Sequence, residues 1–134
     1  MGRKLFLIAA IFCAAQSSQL FAQRGLCEAI DGATVLNDDN EFIGKISSPL
    51  DPDSIYNQFG IYGNPFSTDS IWNQFGTNGN PFSTTSAFNQ FTVSPPRIIK
   101  NRTVIGYLTA NKSIAGGVHP TAIGVLCYDF KPPR

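Results

Sequence analysis

Pro49-Leu-Asp-Pro-Asp-Ser-Ile-Tyr-Asn-Gln-Phe-Gly-Ile-Tyr-Gly-Asn64 is followed by Pro65-Phe-Ser-Thr-Asp-Ser-Ile-Trp-Asn-Gln-Phe-Gly-Thr-Asn-Gly-Asn80. Then comes Pro81-Phe-Ser-Thr-Thr-Ser-Ala-Phe-Asn-Gln-Phe-Thr-Val-Ser-Pro-Pro96. The three stretches are copies of one sixteen-residue phrase. Pro49, Ser54, Asn57, Gln58 and Phe59 recur in register in every copy, and a further position is always aromatic (Tyr56, Trp72, Phe88). A repeat this regular predicts one local conformation built three times, each unit lying against the next.

Proline and glycine recur too often in these units for long helices or strands. Each unit offers one short helical turn, with Asp53 or Ser54 as N-cap, Ile55 to Phe59 as the turn and Gly60 as the stop. The second unit repeats this at Asp69/Ser70, Ile71 to Phe75 and Gly76, and the third lacks both the Asp and the Gly. Gly63-Asn64-Pro65 and Gly79-Asn80-Pro81 read as tight turns, because Asn caps its own backbone and Pro fixes φ. A Gly/Pro/Ser/Asn stretch this poor in charge resembles a disordered tether, but disorder goes with few aromatics. Here the segment holds Tyr56, Phe59, Tyr62, Phe66, Trp72, Phe75, Phe82, Phe88 and Phe91. Burying one such ring is worth roughly 1.5–3 kcal/mol, which offsets the ordering of one or two residues. The segment is therefore expected to be ordered and irregular.

Working outward, residues 26–46 and 97–130 read as β-rich flanks. Ala33-Thr34-Val35-Leu36 and Glu41 to Ile46 surround the turn-forming cluster Asn37-Asp38-Asp39-Asn40, a hairpin pattern. Arg97-Ile98-Ile99 and Thr103 to Leu108 repeat it around Lys100-Asn101-Arg102. Both second strands carry apolar-Ile-Gly-x-apolar (Phe42 to Ile46, Val104 to Leu108), and a glycine inside a strand marks a bulge or a close backbone approach. Asn111 to Pro120 is a loop by composition, and Thr121 to Phe130 reads as a last strand buried on both faces. The tail from Lys131 is expected to be extended. The fold expected is mainly β: one small domain in which β-hairpins flank an irregular three-copy repeat with short helical turns.

At the N-terminus, Arg3-Lys4, the apolar run Leu5 to Ala15 and Leu20-Phe21-Ala22 describe a secretory signal peptide over 1–22, with a mature domain over 23–134. A buried N-terminal helix is the alternative. Phe12 ahead of Cys13 does not suit a lipoprotein signal. Removal of the leader leaves Cys27 and Cys127, whose disulfide would close nearly the whole domain into a ring; two free thiols or an interchain bridge are the alternatives.

Eight basic residues then face nine acidic ones. This balance argues against a nucleic-acid partner, and nothing cationic and amphipathic argues for membrane association after cleavage.

Ser54 to Ser67 is similar to the tandem SIYN-x-(Phe/Tyr)-G-x-YG-x-P-(Phe/Tyr)-S segments of uncharacterised bacterial exported proteins. The likeness runs from about Phe42 to Leu108, since an Ile/Leu-Gly-x-Leu strand tends to precede those repeats too. It implies a bacterial protein that is secreted or periplasmic. It implies no activity.

No Ser/His/Asp set, HExxH or CxxC spacing is present, and no cofactor motif. His119 lies in a Gly-Gly-Val-His-Pro loop and reads as a surface histidine. Asp51, Asp53 and Asp69 read as turn caps before they read as glycosidase carboxylates or calcium ligands. Tyr56, Asn57, Tyr62, Trp72 and Asn73 are the candidate binding residues, combining flat faces with amides in a manner suited to glycans, cell wall or a protein partner. The competing and favoured reading makes the rings simply the interlocking core of the stack; the variation among Tyr56, Trp72 and Phe88, unlike the repeated Phe, fits partial exposure. The expected function is a non-enzymatic structural or binding module outside the inner membrane. The second reading is a small secreted enzyme or enzyme inhibitor using the His119 loop or the repeat carboxylates.

Overall fold

A computed structural model describes residues 18–133. The leader expected over 1–22 lies largely outside them. Residues 18–30 form helix α1, and the backbone then reverses at Gly32, whose φ of 80° is the left-handed conformation that ends helices. Only Gln23, Cys27 and Ile30 on α1 are shielded, a spacing of four and three that defines one face. Residues 26–30 are therefore helical, a correction to the β reading of the flank at its start.

Strands β1 (Ala33–Leu36), β2 (Phe42–Ile46), β3 (Arg97–Lys100), β4 (Thr103–Leu108) and β5 (Gly117–Val118) form one sheet in the order β2-β1-β3-β4-β5. All pairs are antiparallel except β4–β5. The two expected hairpins are present and are joined edge to edge through β1 and β3. In the first, Asn37 Oδ1 accepts from the amides of Asp39 and Glu41 and shapes the turn. In the second, Asn101 and Arg102 both take positive φ, the two-residue turn whose twist matches its strands. The register slips in both hairpins beside the strand glycines, opposite Val35 in one and between Ile98 and Ile99 in the other. Gly44, with φ of 123°, is one of the bulged residues.

The largest departure in the flanks is the C-terminal segment. Pro120–Tyr128 is helix α2, not a strand. Pro120 occupies the first turn, where it needs no N–H donor partner, and His119 Nδ1 caps it by accepting from the Thr121 amide. Pro120, Ile123 and Gly124 are buried and Cys127 is partly so, at helical spacing; Val125 and Leu126 face solvent. Gly124 is required by contact, since a β-carbon there would sit 2.6 Å from the Tyr56 ring. The Cys27–Cys127 disulfide ties α2 to α1 across a sequence separation of 100.

Between the hairpins, residues 49–96 are neither helix nor strand. Turn follows turn, each sharing a corner with the next. Amides of Ser54, Asn57, Gly60, Asn64, Ser67 and Ser70 donate back to the carbonyls of Asp51, Ser54, Asn57, Gly60, Asn64 and Ser67. The same bonds recur at Asn73, Gly76, Asn80, Ser83, Ser86, Asn89 and Thr92. Corners thus fall every three residues with one step of four, and the steps add to the sixteen of the sequence phrase. The short helical turns expected here are absent because the corner side chains compete with a helix for the backbone. Ser54, Ser70 and Ser86 Oγ accept from the amides two residues on, as do the side-chain oxygens of Asn57, Asn64, Asn73, Asn80 and Asn89. Gly63 packs so tightly against the corner that a β-carbon would lie 1.9 Å from the Asn57 carbonyl oxygen.

Each unit rests on the one before. Trp72 Nε1 donates to the Ile55 carbonyl at 2.6 Å, and the ring centroids of Tyr56 and Trp72, then Trp72 and Phe88, are 6.2 and 5.3 Å apart. The first unit bonds to the outer edge of β2, with Lys45 N donating to Asp53 O and Ile55 N to Lys45 O. The third docks on the chain beyond β4, where Ala110 N donates to Ala87 O and Asn111 Nδ2 to Thr92 O.

Candidate functional site

The turn rhythm divides the aromatics into two populations. Ile55, Ile71 and Ala87, with Tyr56, Trp72 and Phe88 after them, point inward. Tyr56 is 1 % exposed and Trp72 2 %; Phe88 is partly buried. Phe130 lies 5.0 Å from Tyr56 and 4.9 Å from Trp72, centroid to centroid, and Tyr128 5.2 Å from Tyr56. The Tyr56 hydroxyl donates to the Pro120 carbonyl inside this cluster, and burial raises its pKa well above the ordinary value, with the Tyr128 hydroxyl adding to the effect. These rings are the core that clamps α2 to the repeats.

The other population points outward. Phe59 is 97 % exposed, Phe75 and Phe91 86 %, and Phe66 and Phe82 89 %, with Leu50 beside them in sequence phase with Phe66 and Phe82. Two equivalent grooves result, one residue phrase apart. Pro65, Phe66, Trp72, Gln74, Phe75 and Pro133 line the first; Pro81, Phe82, Phe88, Asn89, Gln90 and Phe91 line the second. In each, two outward phenylalanines make walls and an inward ring closes the floor. A phenylalanine carries roughly 150–250 Å² of surface, so the two outward rings of each groove alone present a few hundred Å² of apolar area. The segment also carries no Lys, Arg or His, and its only acids are Asp51, Asp53 and Asp69.

The candidate residues Tyr56, Asn57, Tyr62, Trp72 and Asn73 are mostly turned into the stack, as the core reading of the rings expects. Tyr56 and Trp72 are buried and serve as core and groove floor. Tyr62 is half-buried against Phe42, edge to face at 5.0 Å. Asn57 and Asn73 spend their amides on backbone: besides the turn bonds, Asn57 Nδ2 donates to Asp51 O and Asn73 Nδ2 to Ser67 O. Of the phenylalanines that face solvent, Phe59, Phe75 and Phe91 keep one identity in every unit, while Phe66 and Phe82 share their place with Leu50. Their signal was their place two residues after an Asn corner, whereas the inward Tyr56, Trp72 and Phe88 stand two residues after a Ser corner.

Asp51 acts as a cap, accepting from the Asp53 amide and the Ser47 hydroxyl. No group of three or more His, Cys, Asp or Glu side chains converges among the described residues. His119 is engaged structurally, its Nδ1 on the Thr121 amide and its ring 5.9 Å from Phe88. Burial, with the Lys112 charge, holds its pKa below the ordinary value. The unfolded chain therefore takes up this proton first, and stability falls as pH drops below about 6.5. Melting temperatures at about pH 7.5 and 5.5 should differ more in the wild type than in His119→Asn, which keeps a cap acceptor and cannot titrate.

Among the described residues, no helix is long and apolar enough to cross a membrane. Comparisons with family models, curated proteins and solved structures return no match to this chain.

Proposed function

We propose that residues 49–96 are a three-copy repeat array serving as a non-enzymatic binding module, and that the outward phenylalanines are its contact surface. The protein acts after export, in the periplasm or beyond the cell, where the Cys27–Cys127 bridge forms and persists. The leader-like start and the likeness of Ser54 to Ser67 to repeats of bacterial exported proteins support that placement. The observation that carries the function is the inversion of the rings. A phrase that repeats Phe59, Phe75 and Phe91 without change leaves them in water, while the residues that hold the stack together vary. Leaving several large rings exposed risks aggregation unless a partner covers them. The repeat segment, with its amides and without Lys, Arg or His, fits a neutral partner: a glycan, cell-wall polymer or protein segment.

The experiment is retention of the oxidised protein on defined matrices of peptidoglycan, neutral polysaccharide and extended peptide. A Phe75→Ser/Phe91→Ser double variant should keep its melting temperature and lose retention at least tenfold. Wild-type protein that stays on none of the matrices, or a double variant retained equally well, refutes the reading.

A further inference from the structure

Gln58, Gln74 and Gln90 stand at the same place in successive units, each beside the outward phenylalanine, and all three are exposed. The first is occupied. Its Nε2 donates to the Lys131 carbonyl at 3.0 Å, so the C-terminal tail lies across unit one. Two residues on, Pro133 forms one wall of the groove that holds Gln74, Phe66 and Phe75. The tail thus advances one unit for every two residues. Gln74 and Gln90 make no hydrogen bond among the described residues. The second groove repeats the composition of the first, with prolyl, phenylalanyl and glutamine groups in the same order, but none of the described tail residues lines it.

We propose that this row of glutamines and phenylalanines is a docking track for an extended, proline-rich peptide of a partner protein, and that the chain's own tail covers its first steps. The glutamine amides donate to carbonyls of the peptide, as Gln58 does to Lys131, and prolyl rings lie against Phe66, Phe75, Phe82 and Phe91. A proline-rich segment suits the track because it is already extended, keeps its carbonyls free and loses little entropy on binding. The absence of cations from residues 49–96 leaves recognition to shape and amides. The tail is then a competitor tethered to its own binding site.

This inference rests on the reading of the outward rings as the contact surface and narrows the partner's chemistry. The test uses fluorescein-labelled decaproline in polarisation titrations, with a Gly/Ser peptide of equal length as control. Full-length protein should bind decaproline and not the control. A chain ending at Phe130, which keeps that buried ring, should bind at least threefold more tightly. Gln90→Ala should weaken binding about fivefold, and Phe82→Ser/Phe91→Ser at least tenfold, with melting temperatures unchanged. No binding at millimolar decaproline, binding equal to that of the Gly/Ser peptide, or binding indifferent to both Gln90 and the rings overturns the proposal. If decaproline fails while a glycan matrix still retains the protein through Phe75 and Phe91, the binding-module reading stands and only the peptide track falls.

Discussion

Trp72→Ala should destabilise the protein by roughly 3–5 kcal/mol, the range for deleting a large buried aromatic. The side chain is 2 % exposed, packs on Tyr56, Phe88 and Phe130, and donates to the Ile55 carbonyl. Its loss opens a cavity where two units meet α2 and leaves that carbonyl without its indole donor. At roughly 4 °C per kcal/mol for a domain of this size, the melting temperature falls by about 12–20 °C. Phe75→Ala, only three positions along, should stay within about 0.5 kcal/mol of the wild type, because the ring is 86 % exposed. Calorimetry on the two variants reads this contrast directly. Similar losses from both would mean that the outward ring is packed and that the division of the aromatics is mistaken.

Removal of the disulfide is the second large effect. The chain-entropy relation gives about 4.7 kcal/mol for a loop of about 100 residues, the separation of Cys27 and Cys127. Little else secures α1. Gln23 Nε2 donates to Leu126 O, the Lys100 ammonium to the carbonyls of Glu28 and Ala29, and the Tyr128 hydroxyl to Asp31, while Ile30 alone is buried. Burial raises the Tyr128 pKa, aided by the Asp31 hydrogen bond, so that contact stays protonated well above neutral pH. A Cys27→Ser/Cys127→Ser variant should therefore denature at a distinctly lower urea concentration. Its denaturant slope should also steepen, because an uncrosslinked unfolded chain exposes more surface. A midpoint and slope equal to those of the oxidised protein would show that the bridge contributes nothing.

Much of this architecture was legible in the residues. Polar turn clusters between short apolar runs marked both hairpins, strand glycines marked the places where register slips, and Cys27 and Cys127, far apart in the chain, were paired as the bridge. What misled was variation taken for exposure. The change of ring among Tyr56, Trp72 and Phe88 suggested partial exposure, yet these places face inward and tolerate Tyr, Trp or Phe because α2 and Phe130 complete the packing from far along the chain. That completion is a tertiary fact no single unit carries. The apolar run Ala122 to Cys127 likewise resembled a strand by content. Pro120, Ile123, Gly124 and Cys127 were nonetheless spaced for a helix, and Pro120 stood where a helix begins. The corner rhythm was also present as Ser54, Asn57, Gly60, Asn64, Ser67, Ser70. Residues of that kind at steps of three and four announce linked turns, and the helix-cap reading of the same serines displaced it.

The rhythm of corners sets a quantum for change in this molecule. Adding or deleting a single residue shifts every later side chain by one place in a three-step cycle, bringing phenylalanines into the interior and leaving serines outside. Adding a whole phrase restores the phase and merely inserts another storey between the two docking ends. Genes of this design can lengthen by sixteen codons at a time and keep the phase of the corners, but because the first and third units are both bonded to one sheet, each added storey also asks that sheet to span a longer array.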